Sequence, residues 1–159
     1  MSRSQIFEGI FATLQADAML ATILGATTAA NPRLMRGYPQ LQALLATGYE
    51  PASGDAWLVF QEPQPYPAAA HASYESAWEV IEIAFSVFSV QYAMADAVID
   101  QLDTTWHWSL EQQRAIQYGE RILLRSRRYR TEEAYAQELK LPQKSVYYRM
   151  SFTLETQHA

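Results

Sequence analysis

A chain of 159 residues with 49% hydrophobic, 13% aromatic and 18% charged residues has the length of one domain and enough apolar material for a core, which excludes a disordered chain. It contains no cysteine, so a disulfide scaffold, thiolate zinc, iron–sulfur ligation and a cysteine nucleophile are excluded together. The net charge of −5 is unevenly held: residues 1–113 carry 3 basic against 12 acidic side chains, residues 114–159 carry 9 against 5. This balance disfavours a general nucleic-acid binder and suits head-to-tail contact between copies of one protein.

No apolar run approaches the roughly 18 residues of a membrane span, and Glu8 interrupts the N-terminal apolar stretch, so neither membrane insertion nor export by a signal peptide is expected. In chain order, Phe7, Ile10, Phe11 and Leu14 follow the spacing of one helical face, which predicts a helix over residues 5–15 with Ser4 as its N-cap. Asp17 is placed to cap a second short helix through Met19, Leu20, Ile23 and Leu24, with Gly25 as its left-handed stop. A short strand is expected over residues 33–38, ended by Pro39. Six of the seven prolines fall between positions 32 and 67, which argues for strands and loops there and against long helices.

A strand fits residues 56–62, and the β-branched, aromatic run 78–90 reads as one long strand, with Ile81, Ile83, Phe85 and Val87 on one face and Trp78, Val80, Glu82, Ala84, Ser86 and Phe88 on the other. The proline-rich segment 63–76 between them reads as the tip of an extended hairpin, a flap. Ala95, Val98, Ile99 and Leu102 restore helical spacing over residues 91–102, and Trp106 and Trp108 follow in a connection. Residues 121–128 and 145–155 read as closing strands, the second with Val146, Tyr148, Met150, Phe152 and Leu154 facing one way. Between them, Thr131 with Glu132 and Glu133 suggests a helical turn over residues 131–139. The sum is an α/β (α+β) domain: a mixed, mainly antiparallel sheet with two main helices packed on it and an extended hairpin.

The chemistry-bearing motifs are missing. His71, His107 and His158 have no metal-ligand spacing. The six glycines never cluster into a phosphate-binding loop, and no GxSxG elbow exists. Glu79 and Glu82 fall on opposite faces of their strand and so do not form a carboxylate pair. No catalytic, cofactor or metal site is predicted; the one candidate pocket for a small enzyme or ligand-binding module is Trp106, His107 and Trp108.

Two features remain. Arg121, Arg125, Arg127, Arg128 and Arg130 crowd into ten positions, and strict alternation puts Arg121, Arg125 and Arg127 on one face and Arg128 and Arg130 on the other. Such a strand contacts phosphates, pairs with acids on a neighbouring subunit, or is a solvated edge protected by charge. The middle of the chain is rich in aromatics, and the candidate interface residues are Tyr66, Tyr74, Trp78 and Phe88, together with Glu82 and the arginines Arg121, Arg125 and Arg127.

The order of elements, carried by Asp17, Ala18, Leu20, Ile23, Leu24 and Gly25, by Arg36, Gly37, Tyr38 and Pro39, by Trp57, Leu58, Val59 and Phe60, by residues 82–89 and by Ala93, Ala95, Ala97, Val98 and Leu102, resembles the tail-terminator (tail-completion) proteins of long-tailed bacteriophages. Residues 1–159 read as one such domain, with the segment 40–55 departing from the family pattern as a loop insertion and 63–76 as the flap. The resemblance implies a subunit of a homo-oligomeric ring, a hexamer, that caps the head-proximal end of the tail tube and stops its polymerisation. The implied partners are other copies of the chain, the tail tube protein, the head-completion or connector protein and packaged DNA in the lumen, with no enzyme activity, no cofactor and no membrane. The implied location is the tail or neck of the virion, and the host cytoplasm during assembly. The neighbouring expectation is a head-completion protein or another neck or connector adaptor.

Overall fold

The computed structural model describes residues 2–25, 32–36, 38–60, 64–65, 78–108 and 114–153. Helix α1 spans Ser2–Ala16, with Ile6, Ile10 and Leu14 buried and Phe7 and Phe11 packed half-buried beside them. Ser4 therefore lies inside the first turn and is not the cap. Helix α2, Ala18–Leu24, is capped as its sequence demands: Asp17 accepts from the Leu20 N–H at 3.0 Å, and Gly25 follows with φ +85°.

Strand β1 is only Leu34–Met35, and the expected strand end is instead the start of helix α3, Tyr38–Ala46. Pro39 does not break this helix because it sits in the first turn, where backbone N–H groups have no intrahelical partner to lose. Segment 40–55 thus holds most of α3 and the turn into β2, Ala56–Phe60. Strand β3 is Gln64–Pro65 and β4 is Trp78–Ser89. The rest of segment 63–76, including Tyr66 and Tyr74, lies outside the described residues.

Helix α4, Tyr92–Trp106, runs one turn beyond the expected Leu102 because Trp106 continues the buried stripe Ala95, Val98, Ile99 and Leu102. Strand β5 (Ile116–Tyr118) turns through Gly119, at φ +62°, into β6 (Arg121–Ala136). Strand β7 is Leu141–Thr153. The helical turn expected over residues 131–139 is absent. Thr131 pairs with Val146, Glu132 with Ser145 and Glu133 with Lys144, so pairing with β7 overrides the local capping pattern. Only Gln137 to Lys140 turn, with Lys140 at φ +56° donating its N–H to the Ala136 carbonyl at 2.7 Å.

The strands form one sheet in the order β1-β2-β4-β7-β6-β5, with β3 paired to β4 off this path. β1 and β2 are parallel and every other pair is antiparallel, which makes the domain an α+β fold with a mixed, mainly antiparallel sheet. One face, carrying Leu58, Ile81, Ile83, Phe85, Val87, Leu123, Val146, Tyr148, Met150 and Phe152, packs under α1, α2 and α4. Phe7, Phe60, Phe85 and Trp106 stack in series there, with ring centroids 4.6, 5.2 and 5.4 Å apart. The opposite face has a smaller core of Met35, Leu41, Leu44, Trp57, Val59, Phe88, Ala136, Leu139 and Leu141, closed by α3 and the β6–β7 turn. Beyond that cover, the same face carries charge. Among the described residues no single helix is long and apolar enough to cross a membrane.

Candidate assembly surface

The arginines of β6 are distributed by two irregularities in its pairing with β7. Register shifts fall between Leu123 and Arg125 and between Arg128 and Arg130, and each extra residue reverses which face the following side chains occupy. Directly paired residues share a face, so pairing settles each position. Leu123 opposite Phe152 and Arg128 opposite Tyr148 lie on the helix-covered face; Arg125 opposite Ser151, Arg127 opposite Arg149 and Arg130 opposite Tyr147 lie on the other. Strict alternation is thereby corrected twice: Arg121 does not share a face with Arg125 and Arg127, and Arg128 does not share one with Arg130.

Arg121 is on the helix-covered side and 2% exposed. Its Nη2 donates to Glu79 at 3.0 Å and its Nε to the Thr153 carbonyl, so it ties three strands together inside the fold. Arg128 likewise turns inward, pairing with Asp103 of α4 at 3.0 Å; Asp103 also accepts from the buried Tyr148 hydroxyl at 2.7 Å. Phe88 is wholly buried in the second core, because α3 covers this end of the sheet. Neither Arg121 nor Phe88 offers surface to a partner. Trp78 begins β4 opposite Thr153.

Across β4, β7 and β6 the open face has three successive rows: Val80, Ser151 and Arg125; Glu82, Arg149 and Arg127; Ala84, Tyr147 and Arg130. Tyr129, at the second irregularity, adds its ring. The Arg149 guanidinium lies 4.1 Å from the Tyr129 ring centroid and that of Arg130 lies 3.9 Å from Tyr147, so each is held against an aromatic face. Glu82 is 4.0 Å from Arg130, and Glu132 is 3.4 Å from it. The Tyr129 hydroxyl is pushed up to about 12, first by burial and then by its hydrogen bond to the Glu82 carboxylate.

Sequence reasoning found Arg125, Arg127 and Glu82 and missed Tyr129, Arg130, Tyr147 and Arg149 as parts of one surface. The outward alternation of Tyr147 and Arg149 was readable on β7, but their alignment with the arginine strand depends on non-local register. The pocket expected at Trp106, His107 and Trp108 is not a shared cleft of three side chains. Both tryptophans are buried, Trp106 donates to the Tyr118 hydroxyl at 3.1 Å, and the His107 ring accepts from the Arg128 N–H at 3.0 Å. Glu79 and Glu82 do lie on opposite faces, opposite Phe152 and Arg149. Among the described residues no group of three or more His, Cys, Asp or Glu side chains is placed to hold a metal ion.

No protein-family model and no curated protein matches this chain. Among solved structures, a chain in the virion of a native gene transfer agent particle superimposes with a TM-score of 0.63 over 92% of this chain and 92% of that one, at 14% sequence identity. At that identity the two chains share a fold.

Proposed function

We propose that this chain is a structural subunit of a phage-like virion and, within it, a tail terminator: a ring, most simply of six copies, that caps the head-proximal end of the tail tube. The observation that carries the reading is the fold likeness across 92% of both chains to a component of a gene transfer agent virion. The order of elements from Asp17 to Leu102 supports the finer assignment by its resemblance to tail terminators. A tube with rotational symmetry is capped with the fewest distinct contacts by an object of the same symmetry. The role needs rigid surfaces and no reacting groups, and its partners are other copies, the tube protein and the head-side connector, in the virion and, before that, in the host cytoplasm.

The test is electron microscopy of purified protein mixed with tail tubes. Rings seated on one end of tubes whose growth has stopped support the terminator. Binding only to heads or connectors replaces it with a head-completion or neck adaptor. Failure to bind either overturns the virion reading.

A further inference from the structure

We propose that the arginine-bearing face of the sheet docks a second copy of this chain through that copy's acidic surface at α4 and β6, centred on Asp96, Asp100 and Glu133. The inference rests on the ring reading and names the contact that would build the ring.

Arg127 and Arg149 are direct cross-strand partners, both exposed. Like charges in that position repel; Glu82 flanks Arg149 on its other side, while exposed Arg127 stands at the β6 end of the row, where an acidic partner adds attraction. Among the described residues of the neighbouring rows, Arg127 and Arg130 are exposed beside Arg125 and Arg149, with Glu82 and Glu132 as the acids of the same face. Two of the guanidiniums are already fixed against tyrosine rings, which reduces the side-chain freedom lost on docking.

The opposite side of the same sheet carries the complementary charge. Lys144 pairs with Asp96, and with Glu133 at 3.3 Å, yet its side chain is only 16% exposed while theirs are 54% and 58% exposed. The carboxylates therefore lie outside and the ammonium beneath them. Asp100, one turn further along α4, is exposed beside Asp96. Two carboxylates thus stand over one covered lysine, with a third exposed one turn away on the same helix as Asp96.

Because the sheet separates the two surfaces, one molecule cannot bring them together. Contact between them is heterologous and head-to-tail, the kind that closes into a ring when the rotation per step allows it. The rival occupant of an arginine and tyrosine face is a nucleic-acid backbone. A head-to-tail contact uses both surfaces of every copy, whereas a nucleic acid on the arginine face leaves the acidic surface without a role.

Charge swapping tests this. The variants Arg127→Glu/Arg149→Glu and Asp96→Lys/Asp100→Lys are each expected to stay monomeric by light scattering, alone or with tubes, under conditions where the unaltered chain forms salt-sensitive rings. Mixing the two variants is expected to restore rings, since an even-membered ring can alternate them with every contact attractive. Restoration also shows that both variants fold. Rings formed by each variant alone as readily as by the unaltered chain overturn the contact while leaving the ring reading intact. Normal rings combined with lost binding of a double-stranded DNA probe by Arg127→Glu/Arg149→Glu assign the face to nucleic acid instead. An unaltered chain that is monomeric with and without tubes overturns the ring reading itself.

Discussion

Arg121 and Glu79 form an ion pair at 3.0 Å in which the arginine side chain is 2% exposed and the glutamate 28%. The first arginine of the basic strand is thus a structural cation, separated from the others by the irregularity after Leu123. Arg121→Ser should leave Glu79 without this partner and lower stability by about 2–4 kcal/mol, less than for a fully enclosed pair because Glu79 keeps some water contact. Chemical denaturation measures this, and Arg127→Ser, at an exposed position, should change stability by no more than about 0.5 kcal/mol. Equal effects of the two substitutions would refute the separation of their roles.

Gly9 is fixed by packing. A Cβ there would lie 2.3 Å from Cδ1 and 2.8 Å from Cγ of Tyr118. That ring cannot step aside freely, since it is 5% exposed and its hydroxyl accepts from Trp106 at 3.1 Å. Gly9→Ala should therefore overpack the junction of α1 and β5 and cost about 1–3 kcal/mol, although alanine is the better helix former. Urea unfolding gives the number, and a stabilised variant would show that α1 is free to shift.

Asp17 joins two helices. Besides capping α2, its carboxylate accepts from the Gln101 amide of α4 at 3.1 and 3.0 Å. Asp17→Ala should cost about 1 kcal/mol for the cap and somewhat more through the lost tie to α4, whereas Asp17→Asn should keep most of the cap. Thermal unfolding of the pair of variants separates the outcomes; an alanine variant as stable as the parent would mean that the cap contributes nothing here.

Local signals were legible and long-range ones were not. Asp17 and Gly25 mark the ends of α2 because caps depend on neighbours a few residues away, and the alternation in β4 and β7 marks buried faces because side-chain direction repeats every second residue. Pro39 misleads because the same residue that ends a strand also fits the first turn of a helix. Thr131, Glu132 and Glu133 look like a helix start, yet they belong to β6 because β7 supplies continuous pairing from Leu141 onward. The arginines were misassigned for the same reason: two shifts of register, set by β7, decide which of them meet. Arg127 is 22 positions from Arg149 in the chain, and nothing in either neighbourhood announces that they are paired.

Tyr129 gives the open face a reporter. Burial and then the bond to Glu82 raise its hydroxyl to about 12, against an ordinary tyrosine value of about 10. Because the folded value lies above the unfolded one, the stability this group contributes is fully present below about pH 10 and is lost as pH rises through the folded value near 12. A spectroscopic titration of tyrosinate should show a late component centred near pH 12 that Tyr129→Phe removes. Glu82→Gln should bring that component only part of the way down, since burial is the larger cause. Tyr148, buried and donating to Asp103, is also pushed up, by burial first, and phenylalanine at Tyr129 leaves that group in place. If the titration of the unaltered, folded chain is complete by about pH 11, the Tyr129 ring is not buried in solution, and with that burial goes the fixed placement of Arg149 against it.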